Sequence, residues 1–193
     1  MILVPDSYDV NDYITFEGVQ IRLSDPTGLR FICELLDAGK EVEGITVDSY
    51  GMVVLPSKVV GDDRTYADYD ASVQNSTNNV VGADKITVGG TVEFNGKNYS
   101  VGTVEAKVLF DETEDSVLYT TCLIGLQPTA DAYATYYTLR PYMIVTANGQ
   151  QYTLYGDAFR SSIYEVSKKA IEDTSVDGYD IFKGYVDAVE GNN

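Results

Sequence analysis

Histidine and tryptophan are both missing from the 193 residues. Without histidine there is no Ser-His-Asp triad, no His-ligated zinc and no imidazole to shuttle protons near neutral pH. Basic residues are scarce: 13 Lys and Arg stand against 30 Asp and Glu, a net charge of −17. Nucleic-acid binding relies on Lys and Arg to release phosphate counterions, so this balance argues against a nucleic-acid partner. It argues equally against an anionic membrane surface. Long apolar runs are absent too. No stretch reads as a signal peptide or a membrane span, and no membrane insertion is expected. Two cysteines, Cys33 and Cys122, are too few for a disulfide framework. Cys33 alternates with Phe31 and Leu35, and Cys122 with Ile124, so both read as facing inward. They would be either buried thiols or a disulfide across adjacent strands.

What the chain does contain favours strands. It has 23 Val and 11 Ile against 12 Leu, with 17 Thr and 16 Tyr beside them. β-Branched and aromatic residues suit a pleated, half-buried surface. A chain of this length buries roughly 70% of its unfolded surface and needs no staple to fold.

Residues 1–13 read as an acidic leader or linker, and 14–190 as one domain. Ile14 to Leu23 and Leu29 to Leu36 form a hairpin around Asp25-Pro26-Thr27-Gly28, whose Pro and Gly positions signal a type I turn. Thr46 to Leu55 is a further strand, ended by Pro56. From Gly61 to Gly82 the pattern dissolves into a long polar loop, a length often tied to function. Ile86 to Phe94 and Tyr99 to Phe110 flank Asn95-Gly96, the pair preferred in two-residue type I′ hairpins. Val101 to Phe110 and Val117 to Leu126 are joined by an acidic tip, Asp111 to Asp115. Tyr136 to Ala147 pairs with Gln150 to Tyr155 through Asn148-Gly149. Two helices close the chain: 157–173, with Asp157 as N-cap and Phe159, Ile163, Val166 and Ala170 at helical spacing, and 178–190. The expected fold is mainly β, an antiparallel β-sandwich with one or two C-terminal α-helices packed against it.

Three constellations invite a chemical reading. Asp62, Asp63, Asp68 and Asp70 gather with Tyr66 and Tyr69 in the long loop. Oxygen-rich clusters suit Ca2+, the only cofactor the residues bring into question, although the spacing matches no EF-hand and a solvated acidic loop is the better default. Tyr133, Tyr136, Tyr137 and Tyr142 concentrate near the last hairpin, with Tyr136 and Tyr142 on one strand face and Tyr137 on the other. Such rings stack on sugars or pack in the core. Arg22, Arg30, Arg140 and Arg160 are expected to hold the fold, their stems packed on Tyr and their guanidiniums paired with carboxylates. An Arg fork on a ligand carboxylate is the competing reading. No catalytic set emerges. With 30 carboxylates some pair meets the glycosidase separation by chance. Ser57-Lys58 and Ser167-Lys168 are adjacent rather than helically spaced, and no Gly-x-x-x-x-Gly-Lys phosphate loop occurs.

The run Gln20-Ile21-Arg22-Leu23-Ser24-Asp25-Pro26-Thr27-Gly28-Leu29-Arg30-Phe31 resembles the IR…GLRF segment of an uncharacterised accessory β-module. That module occurs in secreted and cell-wall proteins of Gram-positive, clostridia-type bacteria. The resemblance continues through Gly51-Met52-Val53-Val54-Leu55-Pro56, Arg140-Pro141-Tyr142, Asn148-Gly149, Tyr155-Gly156 and Arg160-Ser161-Ser162-Ile163-Tyr164-Glu165-Val166. It spans roughly residues 18–170. It implies an extracellular or cell-surface location and a non-catalytic structural, adhesion or accessory function within a larger protein. No catalytic residues transfer with it. Partners would be other modules of the same polypeptide, cell-surface components or a glycan. A carbohydrate-binding module built on the Tyr137-side aromatics and a virion or assembly protein are the alternatives.

Overall fold

The computed structural model describes residues 8–70, 80–107 and 109–192. The strands are β1 (Ile14–Arg22), β2 (Gly28–Leu36), β3 (Ile45–Pro56), β4 (Thr91–Phe94), β5 (Lys97–Ser100), β6 (Gly102–Glu105), β7 (Leu109–Glu112), β8 (Ser116–Ile124), β9 (Tyr137–Ala147), β10 (Gln150–Tyr155) and β11 (Phe159–Ser161). The helices are α1 (Ser57–Val60), α2 (Ala130–Ala134), α3 (Ile163–Ala170) and α4 (Tyr179–Glu190). One sheet has the order β1-β2-β8-β7; the other has β10-β9-β3-β6, with β11 also on β9. The described pairings are antiparallel, which makes the molecule the mainly β, sandwich-like fold expected, with C-terminal helices.

The two sheets enclose the main core. Leu29, Phe31, Cys33 and Leu35 of β2 alternate inward opposite Val117 and Tyr119 of β8, and meet Met52, Val54, Leu139, Met143 and Val145 of the second sheet. Period-two alternation puts these residues on one face. The second sheet is buried on its other face as well. There Val53, Leu55 and Tyr142 pack with Val59, Val60, Ile86, Val92 and Val101. The separate hairpin β4–β5 and the one-turn helix α1 supply this cover. Burial on both faces explains why Met52-Val53-Val54-Leu55 is continuously apolar rather than alternating.

Several elements differ from the sequence expectation. Tyr99 to Phe110 is not one strand but three: β5 pairs with β4, β6 with β3, and β7 with β8. The chain crosses from the outer cover to the edge of one sheet and then to the edge of the other. At the first crossing, Gly102 lies so close to β3 that a Cβ would meet Val54 Cγ1 at 2.9 Å. The loop after β1 is a bend with a cis Asp25–Pro26 peptide, not a type I turn. Residues 8–13, expected within the leader or linker, pack with the domain: Tyr8 and Val10 are buried in the main core, and the Tyr8 hydroxyl donates to the Gly39 carbonyl at 2.8 Å. Residues 1–7 of the expected leader lie outside the described residues. The helix expected at 157–173 begins later. Residues 159–161 add β11 to β9, and Ser162 is the N-cap of α3, its Oγ accepting from the Glu165 amide at 3.0 Å. The Asn95-Gly96 and Asn148-Gly149 turns form as expected, with φ of 51° and 72°, and of 54° and 75°.

Cys33 and Cys122 are free thiols. In the β2–β8 register Cys33 stands opposite Tyr119, whereas Cys122 stands opposite Arg30. The two therefore point to opposite faces of the sheet, and Cys122 does not face the core. Burial pushes the Cys33 thiol up to about 12, leaving it a small hydrophobe.

Helix α3 packs on α4 and on β1, and α2 packs on both helices. Tyr164 Oη and Lys168 Nζ donate to Glu190 Oε1, at 2.8 and 2.6 Å, and tie α3 to the end of α4. Among the described residues no helix is long and apolar enough to cross a membrane.

Candidate functional site

The buried charge of the molecule collects where the loop after α1 crosses the start of α3. Gly61, at φ +97°, closes α1 by donating to the Lys58 and Ser57 carbonyls, and the Asp62 amide donates to Ser57 O at 3.1 Å. This left-handed closure, open to glycine at little cost, turns Asp62 inward until it is 3% exposed. Its carboxylate accepts from the Arg64 amide (3.1 Å), from Nε (2.9 Å to Oδ1 and 3.2 Å to Oδ2) and from Nη2 (2.5 Å). Arg160 of β11 adds a second guanidinium, Nε 3.7 Å from Oδ2. Burial alone would push Asp62 up, but the hydrogen bonds and charge of Arg64, with Arg160 behind them, hold the carboxyl below the ordinary 3.8.

Beside this ion pair lies a cavity of about 240 Å³ lined by Arg64, Asp68, Tyr69, Asp70, Tyr136, Arg160 and Glu165. Arg160 rests on the Tyr136 ring, 4.4 Å from its centroid. Glu165 projects from the first turn of α3. The rings of Tyr66 and Tyr69 meet Tyr164 edge-on, at 5.5 and 6.1 Å, and so pin the loop against that helix. Thr65 and Asp68 form a capping box around the short turn between them. Burial pushes Glu165 above its ordinary 4.5, against the pull of the Arg160 charge. Burial and the Glu165 charge together push the Tyr136 hydroxyl up to about 12. Three buried polar atoms of this cavity, Arg160 Nη1, Glu165 Oε2 and Tyr69 Oη, have no hydrogen-bond partner among the described residues.

The four aspartates proposed for Ca2+ are not brought together. Asp68 and Asp70 line the cavity with Glu165, whereas Asp62 and Asp63 line a neighbouring hollow beneath α1 and the β4–β5 hairpin. Asp62 is committed to arginine and Asp68 to Thr65. Among the described residues no group of three or more carboxylates or thiolates is placed to hold a metal ion.

The four tyrosines proposed for a ligand also separate. Tyr133 meets Tyr185 of α4 at a tilt, 4.6 Å between ring centroids, Tyr137 packs against the main core, and Tyr142 is 2% exposed in the second cluster. Of the four, only Tyr136 lines this cavity.

The arginines are each held, by unlike partners. Arg22 Nη1 donates to the Pro26 carbonyl at 2.9 Å. Arg30 lies over the Phe110 ring at 5.7 Å. Arg140 donates to the Gly156 carbonyl (2.9 Å) and the Ala83 carbonyl (3.4 Å) and covers the Tyr155 ring at 4.6 Å. Among these four, only Arg160 has a carboxylate partner within ion-pair distance among the described residues.

Sequence reasoning missed Arg64 and Glu165. The signal for Arg64 was an Asp-x-Arg spacing inside a loop otherwise short of basic residues. The signal for Glu165 was Ser162-x-x-Glu165, a capping-box pattern that marks a helix start. Comparison of the chain with family models, with curated proteins and with solved structures finds no match.

Proposed function

We propose that the chain is a non-catalytic accessory module of a larger secreted or cell-surface protein, acting in structure or adhesion. The observation that carries this reading is the state of Asp62. The most deeply buried carboxylate of the charged cluster is neutralised by Arg64 and Arg160, so it is available neither as a general base nor as a nucleophile. A carboxylate held ionised by two guanidiniums is a poor proton acceptor at neutral pH, where a general base is most effective with a pKa near that of the medium. The lack of histidine removes the commonest proton shuttle. The ordered segments that resemble the accessory module of Gram-positive secreted proteins support the extracellular setting.

Fractionating the source cells and probing for the chain tests the location. Recovery with the wall or the secreted fraction is expected, whereas recovery in the cytoplasm or on virus particles would overturn it. A panel of chromogenic glycosides and peptides tests the absence of catalysis. Turnover by the purified protein that disappears in Glu165→Gln would overturn it.

A further inference from the structure

We infer that the cavity between β11 and α3 is a subsite for one neutral sugar ring, held by a hydroxyl that bridges Arg160 and Glu165. Resting on the module reading above, this names the chemistry the module would recognise. Arg160 Nη1 is a buried donor without a partner among the described residues, and Glu165 Oε2 is a buried acceptor in the same condition. Both line one cavity, yet the Arg160 ion pair runs to Asp62 rather than to Glu165. Leaving complementary charged groups buried and unsatisfied is costly, so each such group calls for an occupant that completes it.

Each group is kept from collapsing onto the other. Arg160 is fixed on the Tyr136 ring and by its strand pairing, Arg160 opposite Thr138. The Ser162 cap holds the Glu165 backbone amide at the start of α3, and a hydrogen bond with the Ser161 side chain engages the Glu165 carboxylate while leaving Oε2 unpartnered.

The chemistry of the opening selects the occupant. A hydroxyl accepts from Nη1 with its oxygen and donates to Oε2 with its hydrogen, completing both groups at once. A carboxylate or phosphate would satisfy Arg160 but face Glu165, Asp68 and Asp70. An ammonium would satisfy Glu165 but face Arg64 and Arg160. Neutral polyols meet neither penalty. The rings of Tyr69 and Tyr136 supply apolar wall for the C–H faces of a sugar, and Tyr69 Oη is a further unpartnered group for a second hydroxyl. A volume of about 240 Å³ falls below the roughly 300–1,000 Å³ of sites for drug-sized ligands and suits a single ring or a chain terminus.

Titrating the 15N-labelled protein with methyl glucoside, methyl galactoside, methyl mannoside, methyl N-acetylglucosaminide and methyl glucuronide tests this. At least one neutral glycoside should shift the Arg160 Nε–H and the amides of residues 160–165 saturably, with the glucuronide weaker. In Glu165→Gln the neutral sugar should bind about tenfold more weakly, the scale of one charge-assisted hydrogen bond, and its advantage over the glucuronide should shrink. Arg160→Lys should weaken it as well, with the melting temperature of both variants recorded alongside. No saturable shift with any neutral glycoside, stronger binding of the glucuronide, or unaltered affinity in a folded Glu165→Gln variant would overturn the proposal and assign the cavity to water. A wall-located protein that binds none of these sugars would sink the subsite and leave the module reading standing.

Discussion

Arg140 and Arg30 lie in central strands of the two sheets, and the structure surrounds them differently. Arg140 sits under the cover of the second sheet, donates to two backbone carbonyls and lies over Tyr155. Burial there lowers its pKa, opposed by Tyr155, Asp84 and Asp157, so the charge is held against a desolvation cost. Arg30 is on the outer face of its sheet, over Phe110, which is 49% exposed. Arg140→Met should therefore cost about 1–3 kcal/mol, since it takes the donor from the Gly156 carbonyl, whereas the Ala83 carbonyl keeps its bond from the Ile86 amide. Arg30→Met should stay within about 0.5 kcal/mol. Urea melts of the two variants check the order; equal losses would show that the carbonyl bonds of Arg140 contribute little. The acidic loop permits a similar residue-level test. A cation at Asp62 would have to displace Arg64 from both carboxylate oxygens. Millimolar Ca2+ should leave the melting temperature unchanged and EDTA should not lower it. A site saturated a hundredfold over its dissociation constant would add about 2.7 kcal/mol, which a thermal melt would reveal.

The start of α3 sets the position of both Arg160 and Glu165, and it tests which residue begins the helix. Ser162 is fully buried and its Oγ caps the Glu165 amide. Ser162→Ala should cost about 1–2 kcal/mol. Asp157→Ala should cost less, because Asp157 is exposed, its carboxylate accepts from Asn11 Nδ2 at 3.3 Å, and the 2.7 Å bond from its backbone amide to Asn11 Oδ1 survives the substitution. The opposite order in chemical denaturation would restore Asp157 as the cap. The two Asn-Gly hairpins were legible in the sequence because positive φ at both turn positions restricts the residues that fit. The helix start was not, since Phe159 and Ile163 are four apart whether the chain is helical throughout or passes from strand to helix between them. The long apolar stretch after Asn95-Gly96 was misread for a related reason. Alternation reports that a residue faces a core, not which of two cores or which sheet. Of the site, the acidic residues and Tyr136 stood out by composition. Their grouping depended on Gly61 turning Asp62 inward and on β11 carrying Arg160 to it, and both are tertiary events.

Across the whole molecule, a net charge of −17 and two opposed carboxyl shifts shape the response to acid. Glu165 is raised by burial, so ionising it costs the folded state more than the unfolded chain. That cost is present above its folded pKa and fades as the pH falls toward the ordinary value, so stability rises on mild acidification. Asp62 is lowered overall, the hydrogen bonds and charge of Arg64 outweighing its burial. Its contribution is complete above the ordinary 3.8 and is lost as the pH falls through the folded value. Excess negative charge adds a repulsion that protonation and salt both relieve, screened over about 8 Å at 0.15 M ionic strength. The melting temperature should climb as the pH falls from 7 toward the ordinary glutamate value of 4.5, then fall below the ordinary aspartate value of 3.8 as Asp62 protonates between its two arginines. Salt should raise the neutral-pH value more than the value at the maximum. Glu165→Gln should flatten the climb while leaving the acid fall in place, since the variant removes the group that pays for ionisation and keeps Asp62. Melts of the parent and this variant across the pH range read both limbs. A monotonic loss of stability from pH 7 downward, or an unchanged climb in the variant, would mean that Glu165 is solvated rather than held in the cavity.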